Sequence, residues 1–388
     1  MTNIAVDEML NSEEIDAIKA SVNRFIQQQV QHNWPTWVEQ KTIPRSYIKA
    51  LGDAGYFSSD LPEAYGGSNA GFAYSAEIIK AFCREGHFVH GGLLISQQLM
   101  VAHMLNSPRV STQIKEQVLT LVAAGDIIPA LAMTEPQGGS DLLNIRCEAK
   151  RVNNGYIING SKTFISNAHL ADIFILAART TPIAENRKGL TLFLVDANTP
   201  GVEVGNSLSK IGMQAADTAE LFLNDVVVSE QSILGELDGG VTLLMEGLPR
   251  ERCYAGICAS AICEGALKLT KDYVNDRVLF GKPMSQLQNT GFEMADMVAD
   301  WRLLDAFISS AIRQMHYGQL SSEAASIARL KGVQMVMAIV ERCALLFGGY
   351  GFMAEYPIAQ LWSDVRGMAF WGGPNEIMKE IIARQFLS

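Results

Sequence analysis

The chain is short of several features that mark whole classes of protein, and each shortage narrows the field. Its six cysteines (Cys83, Cys147, Cys253, Cys258, Cys263 and Cys343) form no C-x-x-C pair, and three of them fall in one apolar helical stretch. Buried free thiols fit that pattern better than disulfides or a zinc site. The six histidines are scattered; His87 and His90 could share a helix face, but no carboxylate stands at ligand spacing, so no metal is expected. Positive charge is in deficit: 31 Lys and Arg against 41 Asp and Glu give a net charge of −10, the wrong sign for nucleic-acid binding. No apolar run approaches the roughly 20 residues a bilayer span needs, so no membrane partner is expected. The first residues, MTNIAVDEML, carry acid early and lack a basic segment followed by an apolar core, unlike a signal or transit peptide. A cytoplasmic location is the expectation. Also missing are G-x-x-x-x-G-K-[ST], G-x-S-x-G and H-E-x-x-H, which removes P-loop, nucleophile-elbow and zincin chemistry.

What is present falls into three zones, and 388 residues with 48% hydrophobic content suffice for two to three domains. Residues 1–127 read as helical: 13–31 carries Ile15, Ile18, Val22, Phe25 and Ile26 on one face, with Ser12 as a start signal. Helical periodicity repeats over 46–55, 72–84, 92–106 and 111–124. Near 128 the period changes from 3.6 to 2. GYIING, KTFIS, DIFILAAR, LTLFLVDA, GVEVG and ELFLNDVVV read as short strands, and Asn159–Gly160 is a strong hairpin signal. An antiparallel barrel or sandwich over 128–236 follows, and the lack of crossover helices excludes a parallel nucleotide-binding sheet. Over 237–388 the helical period returns in long stretches (241–276, 287–317, 321–346, 375–386), as in a helix bundle. The fold class is α+β.

Five segments are richer than a purely structural chain requires. AMTEPQGGSD (132–141) combines hydroxyls, an acid and glycines that can expose backbone N–H groups to an anionic or heteroaromatic ligand; a plain interdomain loop explains it equally well. NGSKTFISN (159–167) puts Phe164 and Ser166 on one strand face. In LPRERC (248–253), Glu251 and Arg252 interrupt an apolar run. RVLFGKPMSQLQ (277–288) ends one helix and starts the next, with Arg277 in position to cap. In WGGPNEIM (371–378), two glycines and a proline separate apolar segments. Either this is a helix start, with Pro374 as first residue, or a backbone that must approach a ligand closely.

Taken together and in this order, these segments carry a resemblance. With KIGMQAADTAELFLNDVVV, FGGYGFMAEYPIAQLWSDVR and GGPNEIMKEIIAR, the chain resembles the acyl-CoA dehydrogenase family over essentially its whole length. It is most similar to the long-chain and isovaleryl-type branch. The resemblance implies an N-terminal helical domain (1–127), a middle β-barrel (128–236) and a C-terminal four-helix bundle (237–388). It also implies FAD between barrel and bundle, and oxidation of a fatty acyl-CoA thioester to its trans-2-enoyl form, a step of β-oxidation. Electron-transferring flavoprotein is the implied electron acceptor, and a homo-oligomer, a dimer or dimer of dimers, the implied assembly.

Residue by residue, the resemblance places Leu131, Met133 and Thr134 along the flavin, with Phe164 and Ser166 covering its face. Ser140 matches a position near the pyrophosphate and the substrate's pantetheine. Arg277, Phe280 and Gln288 match residues that hold the adenine and pyrophosphate of a neighbouring subunit's FAD. Leu345, Gly348, Gly349, Pro374 and Glu376 complete the implied cofactor contacts, and Leu248, Arg252, Gly372 and Gly373 those of the substrate. Most of the family keeps its catalytic glutamate in an E-G-T turn where this chain has Gly372. The long-chain and isovaleryl branches use a glutamate in an L-x-x-E-R pattern, which LPRER supplies as Glu251. Glu251 is thus the implied base, and the Gly372 amide the implied partner of the thioester oxygen. Leu345 stands where a Gln is usual, Phe347 where a His is, Pro374 where a Thr is, and Gln137–Gly138 where Gly-Ala is. Each departure shifts a polar contact worth roughly 0.5–1.5 kcal/mol. Two alternatives keep the fold: a dehydrogenase of an acyl group tethered to a carrier protein, and a flavin-binding homologue without turnover.

Overall fold

The computed structural model describes residues 13–85 and 88–387; Ser12 and His87, singled out above, lie outside them. The N-terminal helices are α1 (Glu13–Phe25), α2 (Trp34–Gln40), α3 (Arg45–Asp53), α4 (Phe72–Glu85), α5 (Phe88–Leu105) and a helical run over 112–123, α6. Strands follow as β1 (Pro129–Ala132), β2 (Glu148–Val152), β3 (Gly155–Ser166), β4 (Ile173–Arg179), β5 (Leu190–Asp196), β6 (Val202–Ser207), β7 (Thr218–Ser229) and β8 (Ile233–Leu234). The C-terminal part holds α7 (Gly240–Asp276), a small hairpin β9–β10 (278–283), α8 (Gln288–His316), α9 (Ser322–Leu346), α10 (Pro357–Gly367) and α11 (Asn375–Leu387). Helical ends around a central sheet are what the change of period predicts.

Two readings of the strands need correction. Asn159–Gly160 is no hairpin turn: GYIING and KTFIS form one continuous strand, β3, with a register shift against β7 between Ile158 and Gly160. Gly160 sits at φ 150, and a β-carbon there would lie 2.8 Å from the Cys147 Cα. The glycine accommodates a bulge and a close backbone approach, the other use of glycine in a strand. The sheet is also mixed, because β1 and β2 both pair with β4 in parallel. A parallel pair needs a long connection, and here the β2–β3 hairpin supplies it in place of a helix. No dinucleotide-type βαβ unit results.

Three zones in sequence make two cores in space. One core lies within the strand region and its adjoining helices, with Phe174, Leu192 and Leu221 at its centre. The other is shared: Phe82 and Ile95 of the N-terminal helices pack with Ile257, Ile308 and Val336 of the C-terminal ones. All six cysteines are buried and free, as their apolar setting predicts. No helix among the described residues is long and apolar enough to cross a membrane, and no group of described His, Cys, Asp or Glu could hold a metal ion.

Candidate active site and cofactor cradle

The site begins where α7 crosses α9. Both helices carry glycine at the crossing. A β-carbon on Gly256 would lie 2.7 Å from Ile308 Cδ1 and 3.0 Å from the Ala328 carbonyl oxygen, and one on Gly332 would lie 3.0 Å from Ala259 Cβ. Backbones this close bring the start of α7, with Glu251, against the residue one turn before Gly332, which is Arg329. Without the two glycines the helices would stand farther apart and the two charges would separate.

Glu251 is half-buried at this crossing. Burial raises its carboxyl above the ordinary carboxylate range, and Arg252 and Arg329 only partly counter the rise. Its Oε1 lies 3.4 Å from the position a β-carbon on Gly372 would take, so LPRER and WGGP do converge on one point. Arg252 is no solvated charge: it is buried, and its Nη1 donates to Ser322 Oγ (3.2 Å) and Ser326 Oγ (3.4 Å) of α9. The preceding Arg250 turns the other way, donating to Asp60 and to Tyr254 Oη, with its guanidinium 4.9 Å from the Phe72 ring centroid. These three consecutive charged residues therefore have three separate environments. Leu248 is half-buried in the preceding turn.

The WGGP turn is held from beneath. Gly372 and Gly373 have φ of 65 and 83, conformations that L side chains adopt only with strain. Pro374 is the residue before α11 rather than its first, and its carbonyl accepts from Ile377 N–H (3.1 Å). Glu376 is exposed in the first turn, 3.6 Å from Lys379. The buried Arg329 guanidinium donates to the carbonyls of Gly372 (3.1 Å), Trp371 (2.6 Å) and Met368 (3.3 Å) and to Asn375 Oδ1 (2.9 Å). Sequence reading missed Arg329. The available signal was a lone arginine on the apolar stripe Ala325–Arg329–Val333–Val336.

The second group of expected residues sits at the edge of the sheet. Buried Lys162 Nζ donates to the Met133 carbonyl (3.1 Å) and pairs with Glu135 (2.7 Å), while Thr163 N–H donates to the Thr134 carbonyl (2.9 Å). In a trans peptide the N–H opposes the carbonyl. Pinning the Met133 carbonyl inward therefore turns Thr134 N–H outward, toward the open edge. There Phe164, at φ 58 in a second β3 bulge, is 67% exposed, and Ser166 is half-buried two residues on. An unpartnered aromatic face beside an outward amide fits a flat heteroaromatic ligand. Leu131 and Met133 are half-buried nearby in sequence, and Ser140 is exposed in the following loop.

A third group lines a cavity of about 540 Å³ that includes Tyr273, Arg277, Leu345, Phe347, Gly348, Gly349 and Tyr350. Tyr273 and Phe347 stack at 3.9 Å between centroids, and the Arg277 guanidinium lies 5.7 Å from the Tyr350 ring. No atom would lie within 4 Å of a β-carbon on Gly348 or Gly349. Open backbone, a cation and aromatic walls fit a nucleotide with its phosphates. Phe280, at the tip of the β9–β10 hairpin, is 92% exposed, and Gln288 is exposed at the start of α8.

Comparison with known proteins supplies the family. Three family models match in order: the acyl-CoA dehydrogenase N-terminal domain over 12–126, the middle domain over 130–226 and the C-terminal domain over 238–387. The chain belongs to the acyl-CoA dehydrogenase family, whose enzymes are oxidoreductases acting on CH–CH donors. Among its relatives, the long-chain specific acyl-CoA dehydrogenase of Rattus norvegicus mitochondria is 34% identical over 389 residues, covering 100% of this chain and 90% of the relative. An acyl-CoA dehydrogenase structure from Geobacillus kaustophilus superposes with a TM-score of 0.92 at 36% identity, covering 97% of this chain and 98% of that one. A glutaryl-CoA dehydrogenase from Mycobacterium smegmatis, solved in complex with FADH2, superposes with a TM-score of 0.89 at 25% identity over 98% and 96% of the two chains.

Proposed function

We propose that this chain is an FAD-dependent dehydrogenase of fatty acyl-CoA thioesters, giving the trans-2-enoyl product, with Glu251 removing the α-proton. The observation that carries the reading is the meeting of the half-buried Glu251 carboxylate with the left-handed Gly372 turn. An α-proton beside a thioester is only weakly acidic. Its removal needs a base brought near neutrality and a donor on the carbonyl oxygen, where negative charge develops. Desolvation shifts Glu251 in the first direction, upward from the ordinary carboxylate range, and the Gly372 amide would provide the second. The glycine also leaves room beside the carboxylate that a side chain would fill.

FAD, when bound, supplies the two-electron acceptor for the β-hydride. Thr134 and Ser166 would hold its polar edge, Phe164 its face, and Arg277, Gly348 and Gly349 the nucleotide end of a neighbouring copy's cofactor. That sharing makes a homo-oligomer part of the proposal. The exposed Phe280, Leu345 and Phe352 around the cavity support it as apolar surface for a partner to cover. Electron-transferring flavoprotein is the proposed acceptor of the electrons.

The test is anaerobic titration of the purified holoprotein with a panel of acyl-CoAs, following flavin absorbance. Wild-type protein should bleach with at least one thioester, whereas Glu251→Gln should bind it and bleach about 10²–10⁴-fold more slowly. Bleaching of the Gln variant at the wild-type rate would show that Glu251 is not the base.

A further inference from the structure

We propose that Arg329 is a positioning residue for the dehydrogenation, aiming the Gly372 amide at the thioester oxygen while its charge faces the Glu251 carboxylate across the same point. The inference rests on the reading of Glu251 and Gly372 given above.

Arg329 is 0% exposed and commits four of its five N–H bonds to one turn. The direction of these bonds matters more than their number. Nη2 grips the Trp371 carbonyl at 2.6 Å, and no described peptide bond is cis. The Trp371–Gly372 peptide therefore points its N–H away from the guanidinium. Nε grips the next carbonyl, that of Gly372, which fixes the following peptide as well. Asn375 Oδ1 ties the same guanidinium to the first residue of α11. A glycine pair at positive φ has the widest conformational freedom of any dipeptide, and only outside anchors can hold it in one orientation. An amide that is to stabilise an oxyanion must be oriented before the charge appears.

The same cation faces the base. Arg329 Nε and Glu251 Oε1 lie 3.8 and 3.4 Å from the one point a Gly372 β-carbon would occupy. The charged groups bearing on Glu251 are Arg252 of its own helix and Arg329 of α9, and Glu376 of α11 acts on Arg329 in turn. The arginine thus opposes desolvation and favours the ionised form of the Glu251 carboxyl. A lysine would keep the charge but lose the planar fork that spans three carbonyls and an amide.

The experiment measures proton abstraction without hydride transfer. The holoenzyme is incubated in deuterium oxide with a 3-thia-acyl-CoA, in which sulfur replaces the β-carbon, and loss of the α-proton signal is followed by NMR. The α C–H bond breaks, the proton passes to Glu251, and the electron pair moves onto the thioester oxygen at Gly372 N–H. Return of a deuteron from the exchanged carboxyl then forms C–D. Arg329→Lys should lower the exchange rate at least about tenfold, with affinity for the analogue and the acid limb of the pH profile unmoved. Arg329→Met should slow exchange as much and move the acid limb to higher pH, because Glu251 loses a cationic neighbour. Asn375→Ala, which removes one anchor and no charge, should slow exchange without moving the limb, and it decides the matter if the Arg329 variants fail to retain FAD. Wild-type exchange in Arg329→Lys or in Asn375→Ala, or an unmoved limb in Arg329→Met, overturns the proposal. Exchange persisting in Glu251→Gln overturns instead the assignment of the base. Loss of exchange there with wild-type exchange in Arg329→Lys leaves the base standing and removes Arg329 alone.

Discussion

Moving the proposed base across the site is the sharpest test of the convergence between LPRER and WGGP. A β-carbon on Gly372 would stand 3.4 Å from Glu251 Oε1 and 3.8 Å from Arg329 Nε. A glutamate at 372 would therefore set its carboxylate in the space Glu251 now serves, beside the same arginine. Two opposing terms act. A non-glycine residue at φ 65 costs about 1–3 kcal/mol, and with Glu251 present the two carboxylates compete for one proton. Gly372→Glu alone should thus be less active than wild type and less stable. In a Glu251→Gln background the like-charge term vanishes, leaving only the backbone strain. A positioned general base is worth about 10²–10⁴ in rate, while strain of that size expressed wholly in the barrier would be about 5- to 150-fold. Since the strain falls first on folding stability, the double variant should reduce its flavin at least tenfold faster than Glu251→Gln alone. The assay is single-turnover flavin bleaching by an acyl-CoA under anaerobic conditions. A double variant that keeps FAD yet bleaches no faster than the single one would mean that the two segments do not serve the same carbon.

Other expectations follow from the same geometry. Gly256→Ala gains about 1 kcal/mol of helix propensity but overpacks a contact of 3.0 Å to the Ala328 carbonyl, at about 1–3 kcal/mol; chemical denaturation should show a net change from near zero to about 2 kcal/mol destabilising. A full propensity gain there would show slack at the crossing. Because Glu251 is raised in the fold, its protonated form adds stability that is complete below the unfolded carboxylate value and lost as pH rises through the folded one. Glu251→Gln should accordingly unfold at higher denaturant than wild type near neutral pH, with the gap closing in acid; a gap that widens in acid would contradict the sign. Arg277→Gln should weaken FAD retention on dilution, read by flavin fluorescence, and leave Glu251-dependent exchange intact in molecules that keep the cofactor. Retention equal to wild type would remove Arg277 from the nucleotide cradle.

Much was legible before folding because it is local. The change of period from 3.6 to 2 and back reports which faces are apolar, and that depends on side-chain order alone. Glu251 and Arg252 stood out as charges in an apolar run, and Gly372–Gly373 as backbone no regular element would hold. The Asn159–Gly160 bulge was misread because a glycine that permits a turn equally permits a close strand crossing; contact with Cys147 decides between them. The chain order separates the N- and C-terminal helices, yet Phe82 and Val336 share one core, since amphipathic faces record that they are apolar and not what covers them.

Arg329 marks the boundary most clearly. Its residue type and its place on an apolar stripe were in the sequence, but its partners lie more than 35 positions away, at Met368, Trp371, Gly372 and Asn375. The sequence by itself determined which residues are able to act as base, amide donor and anchor. The tertiary structure decided that they meet, through two helices allowed to touch at Gly256 and Gly332. Burial, direction and distance are properties of that meeting, and they are what suit Glu251 to the proposed role of base.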